Sequence, residues 1–125
     1  MLEELEFRES PVEARKVGMW TGGIKGLAAE LSRSRFRLVS AYPFIKLVPL
    51  LDVAIGEIER IEVKQGALSV RASFLISLRE SAWTYLFKSG KPNQWIEVFR
   101  QLGINVIESE SFKNRSNGFL GMLRH

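Results

Sequence analysis

The chain contains no cysteine, and its single histidine is the last residue, His125. Without cysteine there is no disulfide, no thiol nucleophile and no cysteine-ligated zinc or iron–sulfur site. A lone terminal histidine leaves histidine-based triads and most transition-metal sites without the side chains they require. The sequence therefore predicts no catalytic residue, no metal site and no cofactor, and indicates that the protein is not an enzyme.

Long hydrophobic runs are also missing. The most apolar stretch, LVPLLDVAI, is interrupted by Pro49 and Asp52 and falls well short of the roughly 20 residues of a membrane-spanning helix. The acidic N-terminus, MLEELEFRE, lacks the apolar segment of a secretory signal. We therefore expect a cytoplasmic protein, either free or peripheral at the inner face of the membrane.

The net charge of +4 is spread unevenly along the chain. Residues 1–10 contain four Glu and one Arg, which gives −3, whereas residues 11–50 contain seven basic and two acidic side chains, which gives +5. A positive region of this kind favours an anionic partner, either a membrane surface or a nucleic acid, although it also fits a charge that only aids solubility.

Alternating apolar residues predict seven short strands, at 12–21, 24–31, 34–42, 45–53, 56–64, 67–75 and 82–88. The period then changes, because Trp95, Val98, Phe99 and Leu102 follow the spacing of one helix face within residues 92–103. Trp83 and Trp95 share the phase of the apolar residues, so both are expected in the core. We expect an acidic leader at 1–11, a domain at 12–103, and a flexible polar tail with a short apolar end at 104–125.

Several stretches resemble the pleckstrin-homology-like superfamily, especially its GRAM branch and bacterial relatives. They are GGIKGLAAELSRSRFRLVS, VAIGEIERIEV, ALSVRASF and SAWTYLFKSGKPNQWIEVFRQLG, within residues 12–103. The resemblance implies a mainly β fold (α+β by strict count), with a seven-stranded antiparallel β-barrel or sandwich capped by one C-terminal helix. It also implies a non-enzymatic adaptor or targeting module that binds phosphoinositides, other anionic lipids, peptides or partner domains.

The segment LSRSRFRL places Arg33, Arg35 and Arg37 on every second position. Alternate residues of a strand share a face, so the pattern predicts a row of guanidinium groups. Cross-strand ion pairs explain such a row better than a phosphate site does. We expect Arg37 to pair with Glu57 or Glu59, and Arg35 to be the arginine most available to bind an anion.

The candidate binding residues lie in the basic region. The tryptophan among them could enter a lipid interface, anchor a protein partner, or pack beneath the N-terminal leader. The first hypothesis is an adaptor that binds a protein or peptide. The alternative is a peripheral membrane module that binds anionic lipid headgroups. Nucleic-acid binding ranks third and is unlikely, and an exposed strand edge near Pro49 would allow homo-oligomers. The candidates are Lys16, Trp20, Lys25, Arg33 and Arg35.

Overall fold

The computed structural model describes residues 5–18, 23–42, 48–65 and 70–113. Eight strands form one sheet in the order β4-β3-β2-β1-β7-β6-β5-β8. Neighbours are antiparallel except for β5 and β8, which are parallel. The elements are β1 Leu5–Lys16, β2 Ile24–Ser32, β3 Arg35–Ser40, β4 Leu51–Ala54, a 3-10 turn Ile55–Glu57, β5 Ile58–Gln65, β6 Ala72–Leu78, β7 Thr84–Ser89, α1 Pro92–Gln101 and β8 Val106–Glu108.

Strand β1 joins the two halves of the sheet. It pairs with β2 along residues 5–14 and with β7 along residues 13–16. The β1–β2 register shifts at three places, and such bulges bend a strand and increase its twist. The inner faces therefore meet across the core, where the rings of Phe36 on β3 and Phe87 on β7 lie 5.6 Å apart.

Helix α1 covers one end of this core. Pro92 occupies its first turn, where a missing N–H costs no hydrogen bond. Trp95 and Phe99 are fully buried. The ring of Trp95 lies 5.3 Å from that of Phe87 on β7, and the ring of Phe99 lies 5.6 Å from that of Phe36 on β3. The helix is thus attached to both halves of the sheet through aromatic contacts.

A carboxylate on β1 connects this strand to β7 and to the start of α1. Glu9 accepts hydrogen bonds from Ser89 Oγ at 2.6 Å and from Trp95 Nε1 at 2.7 Å through one oxygen. Its other oxygen accepts the backbone N–H of Gly90 at 3.0 Å. The Lys91 N–H in turn donates to Ser89 Oγ at 2.8 Å. This one side chain satisfies the buried polar groups of Ser89 on β7 and Trp95 on α1, together with a backbone N–H between the two elements.

The predicted mainly β fold with a C-terminal helix is confirmed, and the structure adds one strand after the helix. Strand β8 pairs with β5, and this segment is held in place by three buried apolar side chains. They are Ile104 before the strand, Val106 within it and Phe112 after it. Strand β1 also starts earlier than predicted, at Leu5, within the stretch assigned to an acidic leader. The division of the chain into leader, domain and tail stays a prediction, and residues 114–125 lie outside the described residues.

Trp83, which we expected in the core, is exposed, and so is Val70. Val70 is 87% exposed, because β6 begins only at Ala72 and Val70 precedes the paired segment. Trp83 is 45% exposed, because β7 begins one residue later, at Thr84. Trp95, the other tryptophan expected in the core, is fully buried. Alternation therefore identified the faces of these strands but not where the strands begin.

Candidate functional site

A pocket of about 350 Å³ lies on the outer face of the sheet, across β1, β7 and β6. Glu13 on β1 is opposite Lys88 on β7, and Lys88 is opposite Ser73 on β6. Their chain neighbours Ala14 and Phe87 are fully buried, so the row of Glu13, Lys88 and Ser73 faces away from the core. We call this site the outer basic pocket; its lining is Glu13, Ala14, Arg15, Gly23, Ser73, Leu86 and Lys88.

The electrostatics of the outer basic pocket are organised around Glu13. Lys88 Nζ lies 3.0 Å from a carboxylate oxygen of Glu13. This hydrogen bond lowers the pKa of Glu13 below its ordinary value of 4.5, against the opposing effect of burial. The charges of Lys88, Arg71 and Lys25 lower this pKa further. Glu13 is therefore ionised at neutral pH and lies within electrostatic range of cations from three separate segments.

A bulge in β2 explains how Lys25 reaches this face. Val12 pairs with Leu27 and Ala14 pairs with Ile24, so β2 carries one more residue than β1 across this interval. Gly26, at φ +77°, supplies the left-handed conformation that such a bulge requires. Without the extra residue, Lys25 would pair with Ala14 and share its inward face. The bulge turns Lys25 to the face of Glu13.

Gly23 makes a close approach to the same carboxylate. A Cβ atom at position 23 would lie 2.5 Å from Glu13 Cγ and 2.8 Å from Glu13 Cδ. Any larger residue at this position would therefore displace the Glu13 side chain. The end of the β1–β2 connection and the central carboxylate of the pocket fit together only with glycine at position 23.

A second pocket, of about 340 Å³, lies beside the 3-10 turn and the end of β6. Its basic group is Arg79, whose Nε donates to the Gly56 carbonyl at 3.0 Å. Glu57 and Glu80 also line it. Two carboxylates beside one engaged guanidinium make this second pocket a poor receptor for an anion.

Solved structures with a similar fold include the Slm1-PH domain in complex with inositol-4-phosphate. It matches at a TM-score of 0.50 and 18% identity, over 73% of this chain and 88% of that chain. Another Slm1-PH structure, described as binding its ligand outside the usual site, matches at a TM-score of 0.52 and 16% identity, over 82% of this chain and 95% of that chain. The fold is pleckstrin-homology-like. No protein-family model matches the chain, and no curated protein matches its sequence.

The GRAM subtype stays a prediction, because the similarity to the Slm1-PH domains shows the PH-like fold alone. In the described part of the chain, no helix is long and apolar enough to cross a bilayer. Within the same residues, no three acidic or histidine side chains gather as metal ligands would.

The PH-like fold separates the residues predicted to form one binding surface. The charge of Lys25 acts on Glu13 in the outer basic pocket. Lys16 shares the phase of buried Ala14, on the opposite face of β1, and its Nζ lies 3.9 Å from the ring centroid of Trp83. Trp20 lies outside the described residues. Arg33 follows the far end of β2 and Arg35 begins β3 opposite that end, so both lie seven to eight residues along from Lys25, or roughly 23–26 Å at about 3.3 Å per residue.

The arginine row is a set of cross-strand ion pairs, as the sequence predicted, but the partners differ. Arg35 Nε lies 2.7 Å from Asp52 Oδ1, so Arg35 is not the available cation that we expected. Arg37 lies 3.6 Å from Asp52 and 4.0 Å from Glu30, rather than beside Glu57 or Glu59. Arg33 Nε lies 2.8 Å from Glu6 in the turn before β3. The carboxylates on neighbouring strands neutralise most of this row.

Sequence reasoning missed Glu13, Arg15 and Lys88, which line the outer basic pocket, and Arg71, whose charge acts on Glu13. Alternation does place Arg71 and Lys88 on the outward phase of their segments. What joins them is the pairing of β1 with β7, between residues 13–16 and 85–88. No local pattern reports a pairing over such a distance along the chain.

Proposed function

We propose that this chain is a non-enzymatic module that docks on membranes by binding an anionic lipid headgroup in the outer basic pocket. The observation that carries the proposal is the gathering of cations around one carboxylate, Glu13. Arg15 and Lys88 line the pocket together with Glu13, and the charges of Lys25 and Arg71 also act on this carboxylate.

The size and charge of the pocket suit a phosphorylated headgroup. Small-molecule sites usually begin at about 300 Å³, and this pocket has about 350 Å³. A cation close to an anionic leaflet contributes about 1 kcal/mol of attraction. Arginine adds a planar fork of donors that fits two phosphate oxygens, whereas lysine acts as a point charge. The site combines both kinds of cation.

The similar structures support the same ligand chemistry. One Slm1-PH structure contains inositol-4-phosphate, and another is described as binding its ligand outside the usual site. Identity of 18% or less means that no residue role is carried over from those proteins. A phosphate-bearing polyol is therefore the ligand class that we assign to the pocket, on the charges of this chain.

An exposed valine three residues before Ser73, which lines the pocket, favours a bilayer over a free headgroup. Val70 is 87% exposed and directly precedes Arg71. An apolar side chain next to a cation suits the membrane interface, where the first enters the acyl boundary while the second meets phosphates. The location implied by this proposal is the inner face of a membrane.

The hypothesis of a protein or peptide partner ranks second. One common mode of peptide recognition adds a strand to an exposed sheet edge. In this chain β8 pairs with β5 through residues 61–63 and 106–108, so the edges of the sheet are two short strands, β8 with three residues and β4 with four. Homo-oligomers and the unlikely binding of nucleic acid stay predictions.

A matched pair of double variants tests the proposal. Lys25→Glu/Arg71→Glu reverses two charges at the pocket, and Arg60→Glu/Lys64→Glu reverses two charges on β5, so the net charge changes equally. Vesicles of neutral lipid with and without a phosphoinositide are sedimented at physiological salt. We expect wild type and the β5 variant to bind only the anionic vesicles, and the pocket variant to lose about a hundredfold in affinity. Equal losses in the two variants would reduce the site to a nonspecific charge effect.

A further inference from the structure

The carboxylate of Glu13 is an unusual group to find at the centre of a pocket for anions. Its side chain is 15% exposed, and Lys88 holds it at 3.0 Å. It lines the same cavity as Arg15. An ionised carboxylate repels any phosphate that approaches it, so it weakens the site for a simple anion. It is also a pure hydrogen-bond acceptor that binds hydroxyl groups strongly.

We propose that Glu13 makes the outer basic pocket selective for a polyol that presents free hydroxyl groups beside a single phosphate, and selective against multiply phosphorylated polyols. This inference rests on the proposed function. The cations around Glu13 bind the phosphate, while the carboxylate accepts hydrogen bonds from adjacent hydroxyl groups. A second phosphate in place of those hydroxyl groups meets a fixed negative charge.

Two contacts keep Glu13 in position for this role. Lys88 fixes one carboxylate oxygen from the neighbouring strand β7. Gly23 approaches the side chain so closely that a Cβ atom at position 23 would lie 2.5 Å from Glu13 Cγ. The carboxylate also stays ionised at neutral pH, because Lys88, Arg71 and Lys25 lower its pKa. A carboxylate that contacts keep in one position discriminates between ligands better than a carboxylate on a mobile side chain.

The test compares two soluble ligands, an inositol monophosphate and inositol hexakisphosphate, by NMR titration at pH 7 and physiological salt. In Glu13→Gln we expect hexakisphosphate to bind about tenfold more tightly, which is about 1.4 kcal/mol, while monophosphate binds two- to fivefold more weakly. Glu59→Gln removes the same charge from β5 and serves as the control. Its ratio of the two affinities should equal that of wild type.

A second variant separates charge from geometry and guards against a folding defect. Glu13→Asp keeps the negative charge but shortens the side chain, so hexakisphosphate should bind as in wild type while monophosphate weakens. Thermal melting confirms that each variant is folded. An unchanged affinity ratio in Glu13→Gln, with both ligands bound, would overturn the selectivity and leave the proposed function intact. If wild type binds neither ligand nor anionic vesicles, the proposed function itself is overturned.

Discussion

Two glutamates on β1 lie four residues apart and belong to regions with opposite properties. Glu9 lies at the junction of β1, β7 and α1, where its oxygens accept three hydrogen bonds from Ser89, Gly90 and Trp95. Glu13 lies on the outer face among cations, where its one strong partner is Lys88. The carboxylate of Glu9 satisfies hydrogen-bond donors of the interior, whereas that of Glu13 lies on the surface that we propose binds a ligand. The bulge between Glu9 and Val12 separates the two environments.

The two glutamates differ because the role of a charged side chain depends on which groups the pairing of strands places beside it. The arginine row makes the same point for cations. From β1 to β4, Arg8 and the three arginines of the row pair with carboxylates on neighbouring segments, whereas the outer basic pocket is lined by two cations, Arg15 and Lys88, and one carboxylate, Glu13. The densest cluster of arginines in the sequence is therefore largely compensated by carboxylates. Those carboxylates are Glu6, Glu30 and Asp52.

The largest effect, on the free energy of unfolding, is expected from removing the carboxylate of Glu9. Glu9→Ala leaves Trp95 Nε1 and Ser89 Oγ without their acceptor, and each lost charge-assisted bond to a buried donor costs about 1–3 kcal/mol. We expect the free energy of unfolding to fall by about 3 kcal/mol, measured by urea denaturation. Glu6→Ala, on the same strand, loses only an exposed pair with Arg33 and should cost less than about 1 kcal/mol. A similar cost for both would mean that the Glu9 network contributes nothing special.

The proposed membrane contact beside the outer basic pocket can be tested at Val70. Val70→Asp places a charge where we expect an apolar side chain to enter the membrane, so affinity for phosphoinositide vesicles should fall about tenfold while binding of soluble inositol phosphate is unchanged. Val48, which is 90% exposed in the β3–β4 connection, provides the control. Val48→Asp should bind vesicles as wild type does. Parallel losses at both positions would argue against a membrane contact centred on the outer basic pocket.

Removing the charge of Asp52, which pairs with Arg35 and Arg37 of the arginine row, should have an intermediate effect on stability, because this carboxylate is partly exposed. Asp52→Asn removes the charge opposite Arg35 and Arg37, which lie 2.7 Å and 3.6 Å away. Exposed pairs contribute little, so the free energy of unfolding should drop by about 0.5–1 kcal/mol, as read from chemical denaturation. Vesicle binding should rise less than threefold, since the unmasked arginines are remote from the pocket. A larger gain would place part of the membrane contact on the row.

The smallest effect concerns pH and Glu13. The folded-state pKa of Glu13 is lowered, mainly by the hydrogen bond from Lys88. The stabilisation is therefore complete above the unfolded pKa, near 4.5, and is lost as pH falls through the lower folded value. We expect wild type to be more stable than Glu13→Gln by under about 1 kcal/mol at pH 7. Melting curves from pH 7 to pH 3 should show this advantage vanish, and an advantage that grew on acidification would contradict the assignment.

Much of the fold was predictable from local patterns. The stripe of Trp95 and Phe99 located α1, because helical spacing survives in a ten-residue element. Strand β8 was missed, because three residues are too short to show a period. Its existence depends on burying Ile104 and Val106 beside β5, a tertiary contact rather than a local preference.

The candidate site was less predictable than the fold. Among the predicted binding residues, the charge of Lys25 acts on Glu13 in the outer basic pocket, whereas Arg35 is paired with Asp52 and Trp20 lies outside the described residues. Arg71 and Lys88 come to Glu13 only through pairings of β1, β7 and β6 that span most of the chain. Counting charges along the sequence does not reveal which carboxylates will lie opposite each basic residue in the folded sheet.

The bulge at Gly26 means that the length of the chain, as well as its composition, sets the surface potential. Deleting one residue there would keep every charged side chain in the sequence, yet it would send Lys25 to the interior face. Insertions and deletions in β2 would thus act on ligand affinity as strongly as charge substitutions do. Relatives that differ by one residue in this strand would be expected to differ in the lipids they recognise, even where their basic residues align.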